Sequence, residues 1–234
     1  MKLFVMILVF LLNALLLHAE ESVKAVLFPF REAVISARVE SSLEPYAFKM
    51  GESFKQGDII AALNDKDYAL KLKNALEDMN FMQAVYLDKK ELHEKKFTSD
   101  FELKKAEFEF CKAQNAYSAA QLNISYCKIK APFAGKIVEF ITREYETVRP
   151  GQPLLRIIDD NQLLAVMNIP QKKLPVNNST VKLMLDNKTA VSGKIYEISP
   201  KTDHRTGTVR VRVLIDNSSG LLKAGMTGEL INAE

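Results

Sequence analysis

The chain has 234 residues, 47% of them apolar and 26% charged, an ordinary globular composition that excludes disorder and collagen-like repeats. Its formal net charge of +3 at pH 7 is too small for the clustered Lys and Arg that phosphate contacts need, so no nucleic acid is expected as a partner. Cys111, Cys127, His18, His93 and His204 are too few soft ligands for a closed zinc site, and neither a metal nor a cofactor is expected.

At the start of the chain, Met1-Lys2 precedes an apolar run over 3–17 broken only by Asn13, followed by His18-Ala19-Glu20-Glu21. A charged start, an apolar middle and a small residue at the cut make 1–19 a secretory signal peptide, cleaved after Ala19. As a helix the run would reach about 22 Å, short of the roughly 30 Å hydrocarbon core. Exported and soluble is therefore the expectation for the rest, with attachment to the inner membrane as the outcome if the signal stays uncut.

No Gly or Pro occurs between Gly57 and Pro132, and a stretch that long without either breaker is the signature of long helix. Leu103, Ala106, Phe110, Ala113, Tyr117, Ala120, Ile124 and Cys127 recur at alternating spacings of 3 and 4, a heptad seam. Earlier, Ala69, Leu72, Leu76, Met79, Gln83 and Tyr86 suggest a matching seam that decays into Lys90 and His93. Between the two, Ser99 stands three residues ahead of Glu102, the capping-box signal for a new helix. A helical hairpin over 65–126 follows, with helices near 65–96 and 99–126. Its eleven acidic and ten basic residues intersperse as a solvated face would. Cys111 and Cys127 would stand about 24 Å apart on one helix, too far to pair; Cys127 reads as a small core residue.

The flanks of the hairpin resemble each other. Gly51-Glu52-Ser53-Phe54-Lys55-Gln56-Gly57-Asp58 lies over Tyr145-Glu146-Thr147-Val148-Arg149-Pro150-Gly151-Gln152 at a constant offset of 94, and the match runs on to Asp65 over Asp159. Each copy is a short strand, a Gly-fixed turn and an apolar strand, too little to bury two faces alone. The two halves, 23–64 with an N-terminal strand and 127–160, are expected to close one small β-sandwich whose adjacent ends accept the hairpin as an insertion.

After Asp160 the period becomes two. Thr208-Val209-Arg210-Val211-Arg212-Val213-Leu214-Ile215 alternates as a half-buried strand, with shorter candidates at 163–169, 181–185, 190–198 and 226–231. Turns are expected at Asn177-Asn178, Asp186-Asn187, Thr206-Gly207 and Ser218-Ser219-Gly220, and a single helical turn at 170–174. Residues 161–234 thus form a small β-barrel, and the fold class is α+β, mainly β.

Tyr126-Cys127-Lys128-Ile129-Lys130-Ala131-Pro132-Phe133-Ala134-Gly135-Lys136-Ile137-Val138, with Val148-Arg149-Pro150-Gly151-Gln152-Pro153-Leu154-Leu155 after it, resembles the return half of the lipoyl-like domain in the periplasmic adaptor subunits, or membrane fusion proteins (HlyD-like family), of Gram-negative efflux pumps. Leu221-Leu222-Lys223-Ala224-Gly225-Met226 resembles the segment before that family's last barrel strand. The resemblance implies a periplasmic adaptor in a tripartite drug-efflux assembly. It would join an inner-membrane transporter of the resistance-nodulation-division type to a TolC-type outer-membrane channel, as a ring commonly of six. Departures are Ser41-Ser42 and Tyr145 where glycines are usual, and a chain that stops after the barrel where many members continue into a membrane-proximal β-domain. A hairpin arm of about 45 Å suits efflux better than the long arms of secretion adaptors. Adaptors of ABC-type exporters, and of metal-efflux systems that bind Cu(I) or Ag(I), are the alternatives; Met79 and Met82 are the thioethers in question, although their seam positions suit core packing.

True lipoyl and biotinyl carriers place a modified Lys on the hairpin that the helices replace here. No G-x-S-x-G, G-x-G-x-x-G, G-K-[ST] or H-E-x-x-H motif occurs, and His204 beside Asp203 sits at an expected turn. Catalysis is not expected. In the family resembled, an Arg, a Leu four residues later and a Ser seven beyond that mark the hairpin tip that meets the channel. Leu92 and Ser99 carry the second spacing, Asp88 stands in the Arg position, and Lys89 is the nearest base. Ser99 equally reads as a helix cap and Leu92 as filler of the coiled coil. Arg210 and Arg212, with Lys172 and Lys173 adding to their face, are the expected transporter-facing residues.

Overall fold

The structure, a computed structural model, describes residues 22–175 and 179–233. The predicted signal peptide at 1–19 and the Asn177-Asn178 turn lie outside them. The described residues form two compact units, one of residues 31–159 and the other of residues 22–30 with 160–175 and 179–233.

In the unit of residues 31–159, short strands β2 (Ser41–Ser42), β3 (Ser53–Phe54) and β4 (Ile59–Ala62) precede the hairpin. Strands β5 (Lys128–Lys130), β6 (Gly135–Phe140), β7 (Thr147–Val148) and the first part of β8 (Pro153–Pro170) follow it. Each leading strand pairs antiparallel with a trailing one: β2 with β7, β3 with β6 and β4 with β5. Within the trailing half β6 also pairs with β8. The duplication is internal to the core as well. Ala37 and Ala131, Val39 and Phe133, Leu43 and Ile137, Phe54 and Val148, Ile60 and Leu154, Ala61 and Leu155, Leu63 and Ile157 are all buried in one cluster, and each pair is separated by the same 94 residues. The repeat therefore begins earlier than the turn motif that reveals it in sequence. It recurs even in hydrogen bonds: Gly57 N donates to Ala131 O at 2.9 Å, and Gly151 N donates to Ala37 O at 2.8 Å.

Helix α1 (Lys66–Glu94) and helix α2 (Asp100–Ser125) form the hairpin. The seam expected on α2 is the one observed, every position from Leu103 to Cys127 being buried or half-buried. On α1 the seam is shifted. The half-buried positions are Tyr68, Leu72, Ala75, Leu76, Met79, Met82, Val85, Tyr86, Lys89 and His93, while Ala69 and Gln83 of the expected seam are exposed. Heptad order thus continues to the tip, with polar residues on its last turns. Tyr86 stacks on Phe110 across the hairpin, centroids 5.9 Å apart and 5° from parallel.

In the other unit, the start of β1 (Lys24–Ser36), β9 (Thr180–Leu185), β10 (Ala190–Asp203), β11 (Thr208–Asp216), β12 (Thr227–Ala233) and the end of β8 assemble. Their order is β1, β12, β9, β10, β11, β8, and β1 also pairs with β8, so the order returns to its start. Inward positions Leu163, Ala165, Met167, Val211, Val213, Leu183 and Leu27 pack into one buried core. The expected helical turn is a 3-10 turn at Gln171–Lys173. One boundary differs from expectation: residues 24–30, assigned above to the first half-motif, belong to the barrel, where Lys24 to Val26 pair with Glu229 to Thr227. Because β1 runs unbroken for 13 residues, no turn residue marks the passage from one unit to the other.

Candidate functional site

Two places concentrate unusual side chains. The first is the hairpin tip. Helix α1 ends in a Schellman motif: Lys96 N donates to His93 O and Phe97 N to Leu92 O, both at 2.8 Å, with Lys96 left-handed at φ 61°. Helix α2 then starts on Ser99, whose Oγ accepts from Glu102 N at 3.3 Å. The reciprocal half of the capping box is absent, because the Glu102 carboxylate reaches Lys89 Nζ at 3.8 Å. His93 Nε2 meets Asp100 Oδ1 at 2.7 Å, and that contact, chiefly its hydrogen bond, holds the Asp100 carboxyl below its ordinary value.

Lys89 is thus engaged on the seam and is not a free tip charge. Ser99 caps its helix. Leu92 does not fill the coiled coil; it is 40% exposed, while Lys89 and His93 take the adjacent interior positions. Around it stand Phe97, 76% exposed, and Phe101, 72% exposed. Sequence reading passed over both phenylalanines, although Phe101 is off the α2 heptad seam and Phe97 sits in the inter-helix turn, two positions where an aromatic has no core to enter.

The second place is the outer barrel face. Arg210 and Arg212 lie opposite Asn168 and Val166 of β8. They do not make a flat basic surface: Arg212 Nη1 donates to Glu197 at 2.9 Å, and both arginines line a groove with apolar neighbours. Lys172 and Lys173 lie on the 3-10 turn, outside that groove. His204 is on the β10–β11 turn and exposed. Met79 and Met82 are half-buried seam residues, and Cys127 is buried in the core. Among the described residues no group of three His, Cys, Asp or Glu side chains converges to hold a metal.

The CusB-like β-barrel domain family matches residues 169–233, the strands that close the barrel. Among characterised relatives, nodulation protein NolF of Rhizobium meliloti is 30% identical over 117 residues, covering 48% of this chain and 32% of its own length. Multidrug resistance protein MdtA of Photorhabdus laumondii is 20% identical over 220 residues, covering 81% of this chain and 54% of its own. A crystal structure of a MacA-MexA chimera carrying the Pseudomonas aeruginosa MexA α-hairpin superposes with a TM-score of 0.78 at 20% identity, over 91% of this chain and 82% of that one. The barrel strands thus match the CusB-like family, and the fold over nine tenths of the chain is that of the MacA-MexA chimera. The chain spans about half the length of MdtA and about a third of that of NolF. Its split sandwich, hairpin and barrel are the α+β, mainly β, architecture that the sequence led us to expect. Among the described residues, no helix is long and apolar enough to cross a membrane.

Proposed function

We propose that the chain is an adaptor of the membrane fusion protein type and works in the periplasm as the linking subunit of a tripartite drug-efflux assembly. It would join an inner-membrane transporter of the resistance-nodulation-division type to a TolC-type channel, with no catalysis of its own. The observation that carries this reading is the tip. Leu92, Phe97 and Phe101 stand exposed within ten residues of one another at the end of the arm, where apolar side chains stabilise nothing within the hairpin but suit a partner that buries them. The likeness of the barrel to the CusB-like family and of the chain to the multidrug resistance protein MdtA supports the same reading.

A charge buried without a partner at an interface is expensive, so Phe97→Asp with Phe101→Asp is expected to abolish cross-linking to the channel and drug resistance while leaving helicity unchanged. Leu92→Lys should act alike, whereas Ser99→Asp, still a competent cap, separates docking from capping: it loses the channel only if the Ser99 side chain touches it. Retained resistance in the double Phe variant overturns the reading. Self-association, with six copies as the expected ring, is proposed on a related feature. Leu70, Phe81 and Leu92 recur every eleven residues as an exposed row along α1. So small a row does not sustain a stable ring unaided; the isolated chain should sediment as a monomer and assemble on its partners, and a stable hexamer at micromolar concentration would contradict this.

A further inference from the structure

The outer face of the barrel carries an apolar groove that the barrel does not need. Outward positions of a solvated antiparallel strand are polar, yet Val26 and Phe28 of β1 and Leu164 and Val166 of β8 occupy such positions, alternating with buried Ala25, Leu27, Leu163, Ala165 and Met167. Phe28 is 48% exposed. These side chains line a groove of about 680 Å³, within the ~300–1,000 Å³ of small-molecule sites. Lys24, Arg210 and Arg212 also line it. Arg212 is held by Glu197, but Lys24 and Arg210 have no carboxylate partner among the described residues.

We propose that this groove binds an anionic amphiphile, a carboxylate of the fatty-acid type. Its tail would lie over Val26, Phe28, Leu164 and Val166, and its head would be held by the Arg210 guanidinium with Lys24 beside it. An apolar floor alone would take neutral ligands equally well; two unpaired cations beside it select an anion, and the arginine fork matches a carboxylate. A peptide strand is the less suited occupant. β1, β8 and β11 each pair with neighbours on both sides, so the groove offers no free backbone edge for strand addition. This inference stands independently of the adaptor function.

Calorimetric titration of the whole chain with dodecanoate below its micellar concentration tests it. One saturable site is expected, with affinity rising about fourfold per methylene across the shorter homologues. Arg210→Gln, at an exposed position, should weaken dodecanoate about tenfold and leave dodecanol unchanged, while Val166→Glu should remove both. If Val166→Glu fails to fold, Arg210→Gln decides alone. Absence of saturable binding, or an affinity for dodecanoate that Arg210→Gln leaves unchanged, overturns the proposal. So does an unchanged affinity in folded Val166→Glu, which would place the ligand elsewhere on the chain. Charge reversal at Arg210 that abolishes cross-linking to the transporter, in a chain that binds no dodecanoate, overturns it in favour of a protein partner.

Discussion

At the scale of single residues the duplicated turn offers a controlled comparison. Gly51 and Tyr145 occupy equivalent places and both are left-handed, at φ 81° and 67°; Gly51 N donates to Ile137 O and Tyr145 N to Leu43 O, each at 2.8 Å. A non-glycine residue in this region costs roughly 1–2 kcal/mol, and Tyr145 is mostly exposed, so it recovers little by packing. Tyr145→Gly should raise stability by about 1 kcal/mol and Gly51→Ala should lower it, read as opposite shifts in thermal midpoint. Tyr46 gives a second test. Its hydroxyl is shared between the carbonyls of Thr142 and Leu154, each at 3.0 Å, and burial, with Glu144 and Glu146 nearby, pushes its pKa up to about 12. An unfolded tyrosine ionises near 10, so between those values the folded chain binds more protons than the unfolded one. Stability must fall as pH rises through that window and be unaffected by Tyr46 below it. In Tyr46→Phe the alkaline loss of melting temperature should be shallower; an unchanged slope would contradict the assignment.

Among the elements, the hairpin shows why period alone leaves a helix face undecided. Ala69, Leu76 and Gln83 form one acceptable row with Leu72, Met79 and Tyr86; Tyr68, Ala75, Met82, Lys89 and His93 form another with the same three residues. The second row is half-buried throughout, whereas of Ala69, Leu76 and Gln83 only Leu76 is, because helix packing chooses the face that meets a partner's seam, and the α2 seam is unambiguous. Local signals fared better where they are chemical: Ser99 caps α2 for the reason its spacing to Glu102 suggests. The αL residue that ends α1 carries no such signal, since Lys96 stands where Gly is usual. Lys96→Gly is expected to stabilise the hairpin by up to about 1 kcal/mol, measurable as a higher helical melting midpoint, and without loss of channel binding because the Lys96 side chain is not among the exposed apolar residues that form the tip.

For the whole molecule, the inserted hairpin and the sandwich that holds it should be separable. Leu63 N donates to Cys127 O at 2.8 Å, which ties the two points where the hairpin enters and leaves, and Tyr68 and Tyr126 at the hairpin's base pack against the sandwich core. Replacing residues 66–126 with a short Gly/Ser loop is expected to leave the two halves paired and folded, with far-UV circular dichroism losing its helical signal and retaining a cooperative unfolding transition. A non-cooperative transition would mean that the sandwich needs the helices. Gly135 sets the opposite kind of constraint: a Cβ there would lie 2.0 Å from the Ile158 carbonyl oxygen, so β6 and β8 can approach only at glycine.

The sequence by itself determined which residues are helix and which are strand, the hairpin as an insertion, and the repeat that makes two half-motifs one domain. Each of these rests on spacing along the chain: the absence of breakers, the heptad, the alternation on β11, the constant offset of 94. Only the tertiary structure decided that Leu92 is exposed with Phe97 and Phe101, that Lys89 is engaged with Glu102, and that Arg210 and Arg212 border a groove with side chains of β1. Those facts depend on which elements meet. Residues 24–29 and 210–212 are brought together by β8, which pairs with both of their strands, and neither periodicity nor composition encodes which third strand will lie between two others.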